Sequence, residues 1–169
     1  MWYAVWIRTG QEEKLLKLCR EKITDRQVME DCFLPKYERA WREKGQWGKK
    51  EEILFPGYLF FVTDHPLLLG QELKKIPEFT KILGDEDGAI PLYEHEVDFL
   101  KKYTNDEHVM EMSMGFLEGD KLVITEGALK DYEGKVVHID RHKRLATLEM
   151  EFFGRVVNMT VGVEIVGKG

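Results

Sequence analysis

The chain has 169 residues, of which 43% are hydrophobic and 33% charged, as is typical of a folded globular protein rather than a disordered one. Its net charge of −6 excludes a uniformly basic surface, so any nucleic-acid-binding surface must be local. Residues 1–50 carry 12 basic against 8 acidic residues, whereas residues 51–110 carry 5 against 13. This asymmetry of charge favours an interaction surface in the first third of the chain.

Several classes of protein are also excluded by what the chain lacks. It has no apolar run of the roughly 20 residues that a transmembrane helix needs, and its first residues lack the pattern of a signal peptide. Cys19 and Cys32 are the only cysteines, and we interpret them as buried thiols in a reducing cytoplasm. We therefore expect a cytoplasmic protein with no membrane partner.

The first predicted elements are a strand and a helix. The aromatic and β-branched run 2–8 predicts the strand, and a helix follows through residues 14–23. Thr9 is a candidate N-cap, because Glu12 follows it at the spacing of a capping box. Cys19 lies on the apolar stripe of this helix, so it is predicted to be a core thiol rather than a nucleophile.

A basic hairpin is predicted next. Residues 28–40 predict a strand with Pro35 near its middle, and residues 41–50 form a polar tip punctuated by glycines. Cations interleaved with Trp41 and Trp47 suit single-stranded nucleic acid, because ammonium and guanidinium groups bind phosphates and indole faces stack on bases. A solvated hairpin anchored by its two tryptophans is the alternative. The basic residues of this region are Lys36, Arg39, Arg42, Lys44, Lys49 and Lys50.

The most apolar stretch of the chain lies in the second half of residues 49–62. It predicts a central strand buried on both faces. Pro56 and Gly57 mark a strand start or a bulge, which would aim Phe55 and Tyr58 differently from their neighbours. A core strand with an irregular entry and an aromatic contact patch at a sheet margin both remain open.

The remaining patterns divide the chain into two modules. A helix over 67–75, a strand over 79–83, an acidic turn over 84–88 and a helix over 93–103 complete a split βαβ order, typical of an antiparallel sheet with helices on one face. The apolar residues within 105–115 show neither a helical nor a strand period, so this segment is predicted to be a linker. From residue 116 onward, short strands separated by turns predict a small all-β barrel.

Catalytic and metal-binding patterns are missing from the sequence. It has no phosphate-binding glycine loop and no nucleophile elbow, and its five histidines lack zinc spacing. The acidic turn lacks the spaced oxygen ligands of a calcium loop. We therefore expect a protein that is not an enzyme and that needs no cofactor or metal.

The ordered set of motifs resembles the NusG family of transcription elongation factors. In the first module the resemblance rests on Trp2-Tyr3, Thr9-Gly10-Gln11-Glu12, Phe55-Pro56-Gly57-Tyr58 and Ile76-Pro77. In the second it rests on the KOW-like motif Asp131-Tyr132-Glu133-Gly134-Lys135-Val136 and on Phe153-Gly154-Arg155. It implies an α+β fold, with an NGN split βαβ (RNP-like) sandwich over residues 1–104, a linker over 105–115, and a KOW domain, an SH3-like β-barrel, over 116–169.

One turn departs from the housekeeping members of that family. Their KOW module carries a Gly-Pro-Phe turn whose Phe contacts Rho and a ribosomal protein, and here the turn is Gly127-Ala128-Leu129. The chain therefore resembles a specialised paralog, first the LoaP subgroup of antiterminators and next the RfaH-like proteins. Unlike RfaH-type modules that fold as helical hairpins, the second module is predicted to be a barrel, because its strands are β-branched and flanked by glycine turns.

The resemblance implies three contact surfaces on a monomeric antitermination factor. The clamp helices of RNA polymerase would bind an aromatic patch that includes Tyr3, Trp6, Phe55, Tyr58 and Phe79. Upstream or non-template DNA would lie near Arg39, Arg42, Lys44, Lys49 and Lys50. A hairpin in the nascent RNA would contact Lys130, Lys135, Arg141, His142, Lys143, Arg144 and Arg155.

Two other functions fit the same patterns. One is a housekeeping-type NusG pausing or termination-coupling factor whose KOW module binds proteins. The other is an unrelated RNA-binding module, such as a ribosome-associated KOW protein.

Overall fold

The structure, a computed structural model, describes residues 1–79 and 89–168, with Ala89 and Lys168 described as backbone only. In chain order the elements are β1 Trp2–Trp6, α1 Glu12–Lys22, β2 Asp31–Phe33, β3 Lys36–Glu43, β4 Gln46–Ile53, β5 Tyr58–Val62, α2 Pro66–Lys74, β6 Ala89–Pro91, α3 Glu94–Tyr103, β7 Val109–Met110, β8 Ser113–Glu118, β9 Lys121–Glu126, β10 Lys135–Asp140, β11 Leu145–Phe152 and β12 Arg155–Lys168. They form two compact units. The first unit comprises residues 1–34 and 55–97, and the second comprises residues 35–54 and the chain from residue 98 onward.

The first unit is built on a four-stranded antiparallel sheet in the order β2-β5-β1-β6. The central strand β5 is buried on both faces, since Leu59, Phe60 and Phe61 are completely inaccessible. This confirms the strand predicted from the apolar run. The predicted stripe of α1 is also confirmed, with Leu15 and Cys19 buried.

The start of α1 differs from the predicted capping box. Its N-cap is Gln11, and no side chain caps the helix there. Glu12 instead accepts hydrogen bonds from the backbone N–H groups of Gly10, at 2.6 Å, and Gly57, at 3.1 Å. The acceptor predicted to cap the helix locally therefore binds the turn that precedes β5.

The strand predicted over residues 28–40 is interrupted at Pro35. Residues 31–33 form β2, which pairs with β5 in the first unit, and residues 36–43 form β3, which pairs with β4 in the second. Proline has no N–H to donate to a ladder, so one strand cannot run through this position. Of the strand predicted over 79–83, Phe79 belongs to a helical turn over 77–79, and the rest, like the acidic turn 84–88, lies outside the described residues.

The second unit contains two sheets. One is three-stranded in the order β4-β3-β7, and the other is five-stranded in the order β10-β11-β12-β8-β9. The β3–β4 hairpin closes through Lys44 and Gly45, both with positive φ (51° and 78°), as a tight turn between twisted strands requires. The predicted hairpin is therefore confirmed, and the described C-terminal region is rich in strands, although β12 is 14 residues long rather than short.

The region predicted as a linker, residues 105–115, is partly ordered into strands. It includes β7 and the start of β8, and Val109, Met110 and Ser113 are buried. Residues 36–53 also group with the C-terminal strands rather than with the first module. The compact units are thus divided differently from the predicted boundaries, and the NGN and SH3-like barrel assignments stay predictions.

Helices are few and short in the part of the chain that the structure describes. Between residues 104 and 168 no helix occurs. None of the described helices has the length and apolar character needed to cross a membrane.

Candidate functional site

The second unit contains a cleft that joins two separately predicted nucleic-acid segments. We call it the hairpin cleft; its volume is about 390 Å³, and it lies between the β3–β4 hairpin and the turn that joins β10 to β11. Its lining residues are Arg39, Ala40, Trp41, Arg42, Trp47, His142 and Lys143. None of these seven residues is acidic, so the cleft presents a surface suited to an anion.

Both tryptophans of the hairpin are partly exposed and carry a cation over the ring. Trp41 is 42% exposed and Trp47 41%. The Lys50 ammonium lies 3.2 Å from the centroid of Trp41, and the Arg144 guanidinium lies 3.8 Å from that of Trp47. Such cation–π contacts fix the indole rings while leaving part of each exposed. In the strand alternation, Trp41 is on the hairpin face that carries Lys50, and Trp47 is on the opposite face.

Ion pairs neutralise some of the predicted cations. Lys50 pairs with Glu52 at 2.9 Å, Lys49 with Glu38 at 3.5 Å and Arg144 with Glu164 at 3.6 Å. Within residues 1–79 and 89–168, in contrast, no ion pair involves Arg42, Lys44, Arg141 or Lys143. These four side chains therefore carry the charge that an added phosphate can neutralise.

The β10–β11 turn projects its cations into solvent. The Asp140 carboxylate accepts a hydrogen bond from the backbone N–H of Lys143 at 2.9 Å, and Arg144 closes the turn with a φ of 57°. Arg141, His142 and Lys143 are exposed as a result. The structure thus exposes Arg141 and Lys143, whereas Arg144 is turned towards Trp47 and Glu164, and the RNA-binding role of the turn stays a prediction.

Three other predicted RNA contacts do not line the hairpin cleft. Lys135 lies opposite Glu149 on the neighbouring strand, with their charged groups 3.4 Å apart. Lys130 and Arg155 are exposed at other positions of the second unit. Their roles stay predictions, but the structure does not bring them together with the turn.

A larger cleft in the same unit has a different character. It has a volume of about 720 Å³, lies between β9 and β10, and has an apolar floor that includes Leu122, Ile124, Val136 and Ile139. Its remaining lining residues are Glu118, Asp120, Lys121, Tyr132, Glu133 and Gly134. An apolar floor with more acids than bases suits a protein partner better than phosphates.

The first unit presents a small exposed aromatic surface. Trp6 is 68% exposed and lies directly opposite the half-buried Tyr58 on the neighbouring strand, so both side chains project from the same face of the sheet. We call this pair the Trp6–Tyr58 patch. Of the residues predicted to bind polymerase, these two are the ones whose side chains reach the surface.

The other members of that set are core residues, which corrects the prediction. Phe79 is completely buried, Phe55 is 5% exposed and Tyr3 9%. Phe55 packs against Phe60, with 5.6 Å between ring centroids. Gly57, at a φ of 88°, reverses the chain between Phe55 and Tyr58, so one ring enters the core and the other reaches the surface.

Sequence reasoning missed the meeting of the hairpin with the β10–β11 turn. No local pattern indicates it, because it depends on the packing of β12 against β3. The one trace in the sequence is Gly162, where a Cβ would lie 2.2 Å from the carbonyl oxygen of Glu38. A glycine inside a strand can mark such a close backbone approach, but it does not name the partner.

A β-rich chain with a cationic, tryptophan-bearing cleft and an exposed aromatic patch has the features of a binding protein. The sequence profile described as transcription termination factor nusG matches residues 1–101. The chain therefore belongs to the NusG family of transcription termination/antitermination factors, a family of transcription factors rather than enzymes.

Individual relatives agree with this assignment. The transcription termination/antitermination protein NusG of Helicobacter pylori strain J99 is 21% identical over 95% of this chain and 93% of its own length. That of Pasteurella multocida is 27% identical over 91% and 87%. Among solved structures, one titled "Domain interaction in Thermotoga maritima NusG" matches with a TM-score of 0.50 and 21% identity over 95% of this chain and 92% of that one. This structural likeness supports the fold.

Proposed function

We propose that this protein is a specialised NusG-type factor, most similar to the LoaP subgroup, that binds RNA polymerase, promotes processive antitermination and binds a hairpin in the nascent RNA. The observation that carries the proposal is the hairpin cleft, where cations and two exposed tryptophans meet. Phosphates would contact the cations, and bases would stack on the indole rings. Upstream or non-template DNA is the alternative ligand of the hairpin's cations.

The Trp6–Tyr58 patch is the proposed polymerase contact. Large aromatic side chains contribute much apolar area at interfaces at a low cost in conformational entropy. A bound factor favours a closed clamp only if it binds that state more tightly than the open one. The proposal therefore requires that the polymerase surfaces contacted by the factor change their separation when the clamp moves.

The turn Gly127-Ala128-Leu129 supports a specialised rather than a housekeeping role. Leu129 is completely buried, and its backbone N–H donates to the hydroxyl of Ser113 at 2.9 Å. This side chain contributes no exposed ring with which to bind a partner. Contact with Rho or a ribosomal protein through an aromatic residue of this turn is therefore not part of the proposal.

In vitro transcription through an intrinsic terminator tests the function. We expect read-through to rise when the protein is present and the template encodes the leader RNA hairpin upstream of the terminator. A matched template with a scrambled leader should give no increase. Equal termination with and without the protein on both templates would contradict the antitermination role.

Polymerase binding is tested separately by capture on immobilised clamp helices. Trp6→Ala and Tyr58→Ala should weaken capture, because each removes an exposed or half-exposed ring from the patch. Leu67→Ala is the matched control, since Leu67 is 70% exposed on α2 of the same unit. Equal capture of all three variants and the unsubstituted protein would contradict the proposed contact.

The cleft between β9 and β10 favours a second candidate function, a pausing or coupling factor whose C-terminal unit binds proteins. Titration of the full chain with structured and scrambled RNA separates the candidates. Tight binding of the structured RNA supports the first candidate, and weak, equal binding of both RNAs supports the second. Monomeric state and cytoplasmic location stay predictions.

A further inference from the structure

The β3–β4 hairpin is fixed within the second unit at three points, two at its base and one near its tip. Its Glu38 carbonyl lies so close to Gly162 that a Cβ there would come within 2.2 Å, and the Glu38 carboxylate accepts a hydrogen bond from the Met112 N–H at 3.2 Å. The third point is Arg144, stacked on Trp47. The hairpin is therefore held in a defined position beside the β10–β11 turn and is not an independent arm.

Cations from both elements face the same space. Arg39 and Arg42 come from β3 and Lys143 comes from the turn, and all three line the hairpin cleft. Two segments that are distant in sequence thus line one cleft. A ligand bound to the turn at this position would necessarily meet the hairpin.

We propose that the hairpin and the turn form a single composite RNA site, rather than a DNA contact on the hairpin and a separate RNA contact on the turn. This inference deepens the proposed function and rests on it. RNA is favoured over protein because no acidic residue is among the seven that line the cleft and two tryptophans are. In this proposal RNA binds Arg39 and Arg42, the hairpin cations for which the family resemblance implies a DNA contact.

The ligand class that fits is an RNA stem–loop with at least one unpaired base. Duplex RNA is recognised mainly through its shape and backbone, which the cations of the turn can contact without reading sequence. An unpaired base would stack on the exposed part of Trp41, whose ring is fixed by Lys50 at 3.2 Å. Blunt duplex would use the cations alone and should bind more weakly.

The composite site is tested by fluorescence anisotropy with the full-length protein and a labelled RNA stem–loop. Arg42→Ala, on the hairpin, and Lys143→Ala, on the turn, should each weaken binding of this RNA. Each should also reduce the slope of log affinity against log salt by roughly 0.7 to 0.9, the loss of one phosphate contact. Lys14→Ala, at an exposed position of α1, is the charge-matched control and should change neither quantity.

The outcomes separate a shared site from two sites. Weakening by both cleft variants supports the composite site. If Lys143→Ala alone weakens RNA binding, while Arg42→Ala weakens only a single-stranded DNA probe, the sites are separate and the inference is overturned. Failure of the unsubstituted protein to bind the stem–loop at low salt would overturn it as well.

Base stacking is tested at Trp41. Trp41→Ala should weaken binding of the stem–loop by about 5- to 160-fold, the range expected for loss of one stacked base. Trp41→Phe should restore much of the affinity, and neither change should affect a blunt duplex. Equal loss on stem–loop and duplex would exclude a stacked base.

Failure of the composite site is distinguishable from failure of the proposed function. Anisotropy measures RNA binding without polymerase, whereas terminator read-through needs both. Read-through that survives Arg42→Ala together with unchanged RNA affinity would remove the shared site and leave the antitermination role intact.

Discussion

Glu12 accepts a hydrogen bond from the backbone N–H of Gly57 at 3.1 Å, across 45 residues of sequence. Its second carboxylate oxygen accepts from the N–H of Gly10 at 2.6 Å, and the residue is only 3% exposed. Gly57 in turn accepts from the N–H of Ile7 at 2.8 Å through its carbonyl. One buried carboxylate thereby connects the start of α1 with the turn that sends Phe55 inward and Tyr58 to the surface.

Removing this carboxylate should destabilise the first unit. Glu12→Ala leaves the buried N–H of Gly57 without its acceptor, and an unsatisfied buried donor costs about 1–3 kcal/mol. Urea denaturation should therefore show a lower free energy of unfolding. Glu30→Ala, at an exposed residue of the same unit, is the control, with an expected change within about 0.5 kcal/mol. Similar losses for both variants would show that the long-range hydrogen bond contributes little.

The close approach of β12 to β3 gives a second stability prediction. Gly162→Ala places a methyl group 2.2 Å from the Glu38 carbonyl oxygen, so the backbones must separate. Overpacking of this kind costs about 1–3 kcal/mol, measured again by urea denaturation. A Cβ at Gly48, on the same hairpin, would meet nothing within 4 Å, so Gly48→Ala should be nearly neutral. A neutral Gly162→Ala would contradict the described packing of the hairpin base.

Features with a local cause could be predicted from the sequence. The burial of β5 follows from its continuous apolar run, and the buried stripe of α1 follows from its 3.6-residue period. The β3–β4 hairpin follows from its glycines, and the cationic β10–β11 turn follows from its composition.

Features that depend on contacts between residues far apart in the sequence could not be predicted from it. The family resemblance places Phe55 with Tyr58 in one aromatic patch, whereas the conformation of Gly57 separates the two rings. The spacing from Thr9 predicts a capping box for Glu12, but it does not reveal that Glu12 also accepts from the N–H of Gly57, 45 residues away. The hairpin cleft depends on Trp47 meeting Arg144, and neither local period nor turn chemistry encodes that contact.

The two thiols should be unreactive in the folded protein. Cys19 is completely buried and Cys32 is 1% exposed. Burial raises the pKa of the Cys32 thiol well above its ordinary value, and the neighbouring Cys19 raises it further, so little thiolate forms. Ellman's reagent should therefore detect almost no thiol in the native protein and both thiols in denaturant. Rapid reaction of the native protein at neutral pH would contradict this burial.

Alkaline pH should destabilise the second unit through Tyr132. Burial, with a smaller contribution from Tyr103, raises the pKa of Tyr132 above its usual value near 10. The folded state therefore favours the neutral phenol, while the unfolded chain ionises first. The stability from this group is fully present below about pH 10 and is lost as the pH rises through the folded-state pKa.

Tyr132→Phe should remove this dependence. Its free energy of unfolding should fall less than that of the unsubstituted protein as the pH is raised from about 9 to 11. Tyr93→Phe, at a residue that is 60% exposed, is the control and should keep the pH dependence of the unsubstituted protein. Urea denaturation at each pH gives the comparison. Parallel pH profiles for Tyr132→Phe and the unsubstituted protein would show that this phenol is not held neutral by the aromatic cluster around Phe99 and Tyr103.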